Sequence, residues 1–436
     1  MDRKWENLKD KFTLVDTHND TMMHVVDEKT WLPRLDIGGE TDLHIDIRKL
    51  KKGGIDIAYF AAFNEGFNRD TEKSLSCTLS LTNALYFTEG KNKDSFKIIR
   101  KLEDIDELLK EDKVGALPTI EGAYAFDSKN WKELLSQFLD LGVRVIAFTW
   151  NYSNYLAEGV SGTYGEDLDE KSPEGLTSLG KRMIENMNNL GMVVDVSHMS
   201  KKSFWDTIET SKSPIIASHS GVDAIRNHPR NLDDEQLKAL AKNGGVVGIV
   251  LSKNFLTDKE TGSVKDFVDH VDYAVDLIGE DHVGIGSDFD GTTIPEDIKN
   301  SSEMYKIVDE MFSRGYEDKS IEKILGGNML RVLREGSIEE REEDKGANLT
   351  LDFPIGGKLK DPRNLEINIK DINDIKEEAS RIILNGITYS GELDRDNKRF
   401  FLKLDEALKE RFHVVTFELA YKDGREDRLT RIFYNE

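Results

Sequence analysis

The first residues in the chain that could carry out chemistry are His18 and Asp20, in the segment TLVDTHND (residues 13–20). Residues i and i+2 of an extended chain point to the same side, so the two side chains can reach one point in space. An imidazole and a carboxylate placed in this way suit a metal ion. The alternative is a polar strand end that faces water, and the octapeptide taken alone favours that alternative.

Comparable side chains end five further apolar runs: Glu121, Trp150 with Asn151, His198, His219 and Asp288. Three carboxylates and three histidines without a cysteine suit zinc, and manganese or cobalt fit the same nitrogen and oxygen donors. A single tetrahedral zinc ion would leave some of these side chains without a metal to bind. Two ions about 3.5–4 Å apart, bridged by one carboxylate, would use five ligands and leave Asp288 for proton transfer. That arrangement is typical of a hydrolase.

The other six histidines are predicted to be surface or packing residues: His24, His44, His228, His270, His282 and His413. Asp195 lies three residues before His198, and we expect it to orient one of the two later histidines of the site. Metal-bound histidines usually donate their second ring nitrogen to such a group. A helix cap or a packing role is the alternative for Asp195.

Eight apolar runs rich in Val and Ile precede these residues, and segments of helical periodicity separate them. The runs cover residues 13–18, 55–63, 114–123, 143–150, 192–198, 214–220, 246–252 and 282–291. Buried runs that alternate with helices, such as the helix predicted from Ser172-Pro173 to Gly191, indicate parallel strands. Eight units, with no glycine-rich phosphate loop after the first, favour a (β/α)8 TIM-like barrel over an open doubly wound sheet. In such a barrel the carboxyl ends of the strands form the active-site rim.

The composition indicates the number of domains, the kind of partner and the cellular location. A chain of 436 residues predicts two domains or one large barrel with an appendage. A net charge of -23 disfavours nucleic acid and acidic membranes, so a small ligand or a protein is the expected partner. The single Cys77 excludes an internal disulfide and is predicted to be a small buried residue. We expect a cytoplasmic protein, because no signal segment or membrane-spanning run is recognisable.

The composition changes after Leu333. Residues 336–347 are highly charged and are predicted to be a linker between a barrel at 1–335 and a second domain at 348–436. The second domain contains short β-rich runs such as NLEINI, RFFLKL and FHVVTFELAY, which predict a small all-β sandwich, roughly immunoglobulin-like. Packing on the barrel, dimerisation and partner binding all stay open as its role.

Seven segments together carry a resemblance to a known family: DTHND, IEGA, DVSHMS, ASHSG, HPRNLDDEQL, HVGIGSDFDG and GGNMLRVL. In this order and spacing the sequence resembles the membrane dipeptidase (renal dipeptidase) family of binuclear zinc peptidases. The resemblance spans about residues 10–335. It implies that His18 and Asp20 bind one zinc ion, that His198 and His219 bind the other, and that Glu121 bridges them. By the same resemblance Arg230 binds the substrate and Asp288 is catalytic; without it, Arg230 would be interpreted as an exposed charge at a helix start.

One position departs from the family. Well-known mammalian members carry a histidine where this chain has Trp150, and an indole cannot be cationic. Asn151 or Tyr152 could substitute in substrate binding, and packing is the alternative for Trp150.

We therefore predict a zinc-dependent dipeptidase with two ions per chain that acts on small dipeptides. Tolerance of a D-residue at the C-terminal position and a homodimeric assembly are open properties of this hypothesis. The alternatives are a hydrolase of another small amide or lactam on the same metal pair, and a non-catalytic binding protein that uses its β-domain.

Overall fold

The computed structural model describes residues 11–160, 173–336, 348–359, 361 and 363–435. The first part of the chain forms the strands β1 (Leu14–Asn19), β2 (Ile55–Phe63), β3 (Phe96–Ile98), β4 (Val114–Glu121), β5 (Val145–Ala147), β6 (Val193–Asp195), β7 (Ile216–Ser220), β8 (Val246–Val250) and β9 (Val283–Gly286). The strands pair in parallel in the order β2-β1-β9-β8-β7-β6-β5-β4, and β2 also pairs with β4. The sheet is therefore a closed barrel of eight parallel strands, and the predicted TIM-like fold is confirmed.

Helices separate the strands and surround the barrel. They are α1 (Thr21–Val25), α2 (Ile47–Gly53), α3 (Thr71–Lys91), α4 (Asp104–Leu108), α5 (Trp131–Asp140), α6 (Ser178–Asn189), α7 (Lys201–Thr210), α8 (Asp234–Lys242), α9 (Lys253–Leu256), α10 (Val264–Ile278), α11 (Tyr305–Ser313), α12 (Asp318–Glu322) and α13 (Asn328–Gly336). Among the described residues, no helix combines the length and the apolar character that crossing a bilayer requires.

The inside of the barrel is packed at its amino-terminal end. Residues from the first part of the strands, such as Val15, Val193 and Val246, form one buried cluster with Met329 and Leu333 of α13. Apolar side chains thus fill that end of the barrel, and the polar side chains are concentrated at the carboxyl ends of the strands. This is the usual division of a barrel between a stabilising end and a functional end.

Three details differ from the sequence predictions. The helix predicted from Ser172-Pro173 begins only at Ser178, because Leu176 pairs in an extended bridge with Ala157 and the Thr177 side chain caps the helix by accepting from the Gly180 N–H. Strand β3 was not predicted; it has three residues and pairs with the first half of β4. Cys77 is half-buried against the core rather than fully buried.

The C-terminal part of the chain is all-β. Its strands are β10 (Leu349–Thr350), β11 (Gly357–Lys358), β12 (Asn364–Ile369), β13 (Arg381–Leu384), β14 (Ile387–Ser390), β15 (Glu392–Asp394), β16 (Arg399–Lys403), β17 (Phe412–Ala420) and β18 (Glu426–Tyr434). They form two sheets, β10-β12-β16-β15 and β11-β18-β17-β13-β14. Side chains from both sheets, among them Ile367, Phe400 and Phe417, share one core. The predicted C-terminal β-domain is therefore confirmed, although β11, β14 and β15 were not foreseen.

The β-domain packs on the outer helices α3 and α5. Gln137 in α5 is fully buried, and its amide donates to the Ile383 carbonyl and the Thr416 hydroxyl, both at 3.0 Å, while it accepts from the Gly386 N–H. Phe412 donates its backbone N–H to the Ser76 hydroxyl of α3. Most of the predicted linker, residues 337–347, lies outside the described residues, and the exact domain boundaries stay a prediction.

Candidate metal centre

Six of the predicted site residues meet at the carboxyl ends of the barrel strands: His18 and Asp20 at the end of β1, Glu121 as the last residue of β4, His198 after β6, His219 in β7 and Asp288 after β9. All six are buried, and none is more than 8% exposed. Elements far apart in the sequence thus deliver their polar ends to one small volume. The convergence follows from the fold, because the carboxyl ends of all the barrel strands lie on one rim.

Glu121 lies between two groups of side chains that could bind a metal. Its Oε2 is 3.4 Å from Nε2 of His18, which in turn is 3.7 Å from Oδ2 of Asp20. Its Oε1 is 2.8 Å from Nε2 of His198 and 3.6 Å from Nε2 of His219. The residues form three triads, each with its ligand atoms within 4.8 Å of one another: His18–Asp20–Glu121, Glu121–His198–His219 and His18–His219–Asp288. Glu121 is shared by the first two triads, and the third brings Asp288 close to His18 and His219.

Several atoms of the centre that could bind a metal have no hydrogen-bond partner, although buried polar atoms normally have one. Within the described part of the chain, His18 Nε2, Asp20 Oδ1 and Glu121 Oε2 are buried without a hydrogen bond. Such orphaned atoms are costly, and a cation is the group that satisfies nitrogen and carboxylate acceptors together. The residues present therefore fit a metal-binding site, with nitrogen and oxygen donors suited to zinc, manganese or cobalt.

Neighbouring groups set the tautomers of two histidines. Nδ1 of His198 lies 2.9 Å from the acceptor Oδ1 of Asn151, so Nδ1 carries the proton. The Ser218 hydroxyl donates to Asp195 and lies 2.8 Å from Nδ1 of His219, which must therefore donate to it. In both rings Nε2 is left with its lone pair, and these two atoms face each other at 2.9 Å. A cation bound by both nitrogen atoms would explain why two acceptors lie so close together.

Asp195, predicted to orient one of the histidines, contacts His219 only through Ser218 and not directly. Its carboxylate also accepts from the backbone N–H groups of Ser197 and Ser218. Asn151 was predicted to bind substrate, and the structure directs its side chain to His198. Ser218 was not singled out from the sequence, although it directly precedes His219 in ASHSG.

Burial and mutual charge determine the protonation of the carboxylates. Burial raises the pKa of Asp20 to about 6, and the Glu121 charge adds to the effect. Burial and the Asp20 charge hold the pKa of Asp288 well above its usual range. Burial also acts to raise the pKa of Glu121, but His18 and His198 outweigh it and hold that pKa well below its usual range. Burial and Arg230 lower the pKa of His198 to about 4, which keeps its ring neutral and able to bind a metal.

The backbone around the centre is strained in a way that is common at functional sites. His198, Asp288 and Asp290 have φ values of 65°, 59° and 66°, in the left-handed region that side chains other than glycine rarely adopt. Asp290 holds this loop in place, because its carboxylate accepts from the His44 N–H and from the Thr21 hydroxyl.

The histidines predicted to be surface or packing residues are in none of the three triads. His24 contacts the carbonyl oxygen of Asp290, and His44 accepts from the Asp290 N–H, so both support the loop that carries Asp288. His270 is buried and accepts from the Val222 N–H. The His228 ring lies tilted against Phe255, with the ring centres 4.4 Å apart. His282 and His413 contact the backbone carbonyls of Gly245 and Glu410, respectively.

Arg230 is buried beside the metal centre. It is 3% exposed, its Nη2 donates to the His219 carbonyl at 3.0 Å, and its guanidinium carbon lies 5.4 Å from the centre of the Phe255 ring. The alternative of a solvent-exposed charge at a helix start is therefore wrong. Arg230 and His198 both line a cavity of about 270 Å³, large enough for part of a small ligand.

The segment after β5 carries the remaining predicted residues. Trp150 is half-buried and Tyr152 is 40% exposed, and their rings lie 5.5 Å apart. The hydroxyl of Tyr124 accepts from both of their backbone N–H groups and donates to the Tyr152 carbonyl at 2.6 Å. Tyr124 was missed from the sequence, because nothing in the segment IEGAY indicates a contact some 28 residues away.

The family model described as membrane dipeptidase, Peptidase family M19, matches residues 2–346. The chain belongs to this family. A dipeptidase of Claviceps purpurea, tcpJ, is 31% identical over 341 residues, which cover 73% of this chain and 76% of the relative. Dipeptidase 3 of Mus musculus is 33% identical over 252 residues, which cover 57% of this chain and 50% of the mouse protein. This chain therefore aligns with only half the length of that relative.

A solved structure of a metallo peptidase from Rhodobacter sphaeroides has the same fold, with a TM-score of 0.66 and 25% identity. The alignment covers 75% of this chain and 99% of the solved one, which holds a phosphinate mimic of the dipeptide L-Ala-D-Ala. The membrane dipeptidase family explains why the barrel carries its polar residues at this rim, and the predicted family membership is confirmed.

Proposed function

We propose that this member of the membrane dipeptidase family hydrolyses dipeptides with two zinc ions bound at the carboxyl ends of the barrel strands. The observation that carries the proposal is the position of Glu121, with one oxygen toward His18 and the other toward His198 and His219. One carboxylate shared by two groups of ligands is the arrangement expected of a two-metal hydrolase. His18, Asp20, Glu121, His198 and His219 would hold the ions, and manganese or cobalt would fit the same donors.

When bound, a pair of such ions activates a water molecule for attack and polarises the scissile carbonyl group. The protein must then move a proton from the attacking water to the leaving amine. Asp288 is suited to this step, because its Oδ1 lies 4.0 Å from Nε2 of His18 at the edge of the centre. The burial that raises its pKa makes it a better proton acceptor than an exposed aspartate.

Arg230 is suited to bind the free α-carboxylate of the substrate. Its guanidinium group is held beside His219 by the hydrogen bond to that residue's carbonyl group, and a planar guanidinium pairs with a carboxylate through two hydrogen bonds. A substrate must then end one residue after the scissile bond, because a longer peptide would place its carboxylate beyond Arg230. The L-Ala-D-Ala mimic in the Rhodobacter sphaeroides protein supports the further proposal that a D-residue is tolerated at that position.

Steady-state kinetics with a dipeptide, its C-terminal amide and the matching tripeptide tests the carboxylate role. We expect the amide and the tripeptide to lose about 30-fold or more in kcat/KM, the range for a broken desolvated charge pair. Arg230→Lys should weaken dipeptide binding, whereas Arg226→Lys in the same loop, with its charge paired to Asp258, is the matched control. Equal efficiency on the three substrates would contradict the dipeptidase proposal and favour a hydrolase of other small amides or lactams.

Metal analysis tests the shared role of Glu121. Glu121→Gln should weaken the binding of both ions together, while Asp20→Asn, at the outer end of one triad, should weaken one of them. The measurement is metal content and metal affinity after reconstitution with zinc. Loss of a single ion in Glu121→Gln would contradict the bridging assignment, and wild-type protein that binds one ion or none would contradict the two-metal proposal.

A cytoplasmic location and a homodimer remain predictions from the sequence, as does the absence of membrane and nucleic-acid partners. A non-catalytic role that depends on the β-domain would be favoured only if reconstituted protein hydrolysed no small amide.

A further inference from the structure

Three aromatic side chains stand together beside the metal centre. The Trp150 ring lies 5.2 Å from Phe63 and 5.5 Å from Tyr152, edge-on in both cases, and 6.3 Å from the His198 ring. Phe63 and Trp150 are half-buried, and Tyr152 is 40% exposed. We refer to Phe63, Trp150 and Tyr152 as the aromatic wall. A partly open aromatic surface next to a polar centre is typical of a ligand-binding surface.

The aromatic wall is held rigidly relative to the metal centre. The Tyr124 hydroxyl fixes the backbone at Trp150 and Tyr152 through three hydrogen bonds, and Tyr124 itself is buried. Asn151, between the two wall residues, contacts Nδ1 of His198. The same short segment therefore orients a metal-binding histidine and presents two aromatic rings. Such preorganisation lowers the entropic cost of binding a ligand.

The order of the strands places Phe63 opposite Arg230 in the barrel, and it places Trp150 and Tyr152 a quarter of the way round from Arg230. Phe63 ends β2 and Trp150 follows β5, while β4, which carries Glu121, lies between β2 and β5 in the barrel. Arg230 follows β7, on the far side of His198 and β6. A dipeptide whose carboxylate is at Arg230 and whose peptide bond is at the metal centre can extend its N-terminal residue toward β4 and β2. There the Trp150 ring meets Phe63.

We propose that the aromatic wall is the subsite for the side chain of the N-terminal residue and that it makes the enzyme prefer dipeptides with a large apolar residue at that position. This inference rests on the proposed dipeptidase function, because it uses the carboxylate at Arg230 to orient the substrate. Trp150 supplies the largest apolar face of the wall and carries no charge that would favour a polar side chain. Tyr152 extends the apolar face toward solvent.

The test is a comparison of substrates in which one residue at a time is varied. For the zinc-reconstituted wild-type enzyme we expect kcat/KM for Phe-Ala and Leu-Ala to exceed that for Gly-Ala by about 10- to 100-fold, the range for burying a large apolar side chain. Trp150→Ala should remove most of this difference, read as the ratio of kcat/KM for Phe-Ala to that for Gly-Ala in the same variant. Trp150→Phe, which keeps an aromatic face, should retain most of it.

Tyr155→Ala is the matched control, because Tyr155 is 43% exposed on the same loop and lies outside the wall. It should leave the preference unchanged. Losses in Trp150→Ala that are equal for Phe-Ala and Gly-Ala, or a dependence on the C-terminal residue of Ala-X dipeptides instead, would overturn the inference.

Binding measurements separate this inference from the dipeptidase proposal. If the reconstituted wild-type enzyme hydrolysed no dipeptide, the proposed function would fail, and calorimetric titration with Phe-Ala and Gly-Ala would still test the wall. Tighter binding of Phe-Ala that Trp150→Ala abolishes supports the subsite. Equal affinity for the two dipeptides overturns it.

Discussion

Gly291 provides the space in which the carboxylates of Asp20 and Asp288 lie. A Cβ atom at this position would stand 2.0 Å from Oδ2 of Asp20 and 2.6 Å from Oδ1 of Asp288, which is closer than any real contact. Gly291→Ala should therefore displace one or both carboxylates and weaken metal binding by about 10- to 100-fold, as changes that misorient metal ligands do. Calorimetric titration with zinc measures the effect.

Gly90→Ala is the control for this substitution, because a Cβ at Gly90 in α3 meets no atom within 4 Å. It should leave the zinc affinity unchanged and, as a glycine replaced within a helix, raise the free energy of unfolding by about 0.5–1 kcal/mol. Full zinc affinity in Gly291→Ala would show that the centre relaxes around the added methyl group.

Ser218 transmits the orienting effect of Asp195 to His219. Ser218→Ala removes the acceptor of the His219 Nδ1 proton and one donor to the buried Asp195 carboxylate. We expect zinc affinity to fall by about 10-fold or more and the free energy of unfolding to fall by about 1–3 kcal/mol. Ser313→Ala, at an exposed serine at the end of α11, is the control. Unchanged zinc affinity in Ser218→Ala would contradict the orienting role.

At the scale of elements, helix α8 anchors the loop that carries Arg230. The Asp233 side chain accepts from the Gln236 N–H at 2.9 Å, and the Gln236 side chain accepts from the Asp233 N–H at 3.2 Å, so the pair forms a capping box. Asp233→Ala should lower the free energy of unfolding by about 0.5–2 kcal/mol. It should also raise KM for dipeptides more than it lowers kcat, because the binding loop loses its anchor.

Asp233→Asn is the informative comparison, since it loses the charge that pairs with Lys201 but keeps an acceptor for the cap. Chemical denaturation and dipeptide kinetics on both variants separate the two contributions. Equal losses in the two variants would assign the effect to the ion pair and not to the cap.

The elements that position the site could be predicted because each barrel strand is a nearly continuous apolar run buried on both faces. The run at 55–63 coincides with β2, and NLEINI coincides with β12. Strand β3 was not predicted because it has only three residues, too few to show an alternating or continuous apolar pattern. Tyr124 and Ser218 escaped because their importance depends on contacts across loops, to Tyr152 and to Asp195, that only the folded chain creates.

At the scale of the whole molecule, buried histidines make the stability depend on pH. Burial lowers the pKa of His413 to about 4, from an ordinary value of 6.5 in the unfolded chain. Between these values the unfolded state binds the additional proton, so acidification from pH 6.5 toward 4 favours unfolding. The stabilisation is complete above pH 6.5, and this residue alone accounts for a loss of about 3 kcal/mol by pH 4.

His413→Gln tests this dependence, since glutamine can replace the contacts to Asn385 and to the Glu410 carbonyl without gaining a proton. The free energy of unfolding of the variant, measured by urea denaturation between pH 4 and 7, should fall less steeply on acidification than that of the wild type. Parallel curves for the two proteins would contradict the assignment to His413.

The packing of the β-domain has a consequence for how the chain can be divided. Phe412, Val414 and Ile432 from the C-terminal sheet belong to the same hydrophobic cluster as the helices around the barrel. Removing the β-domain would expose apolar surface on α3 and α5, and it would leave the buried amide of Gln137 without Ile383 and Thr416. The two parts should therefore melt in a single calorimetric transition. In evolutionary terms, the β-domain is not an interchangeable module, because its loss or exchange would require compensating changes on the barrel helices.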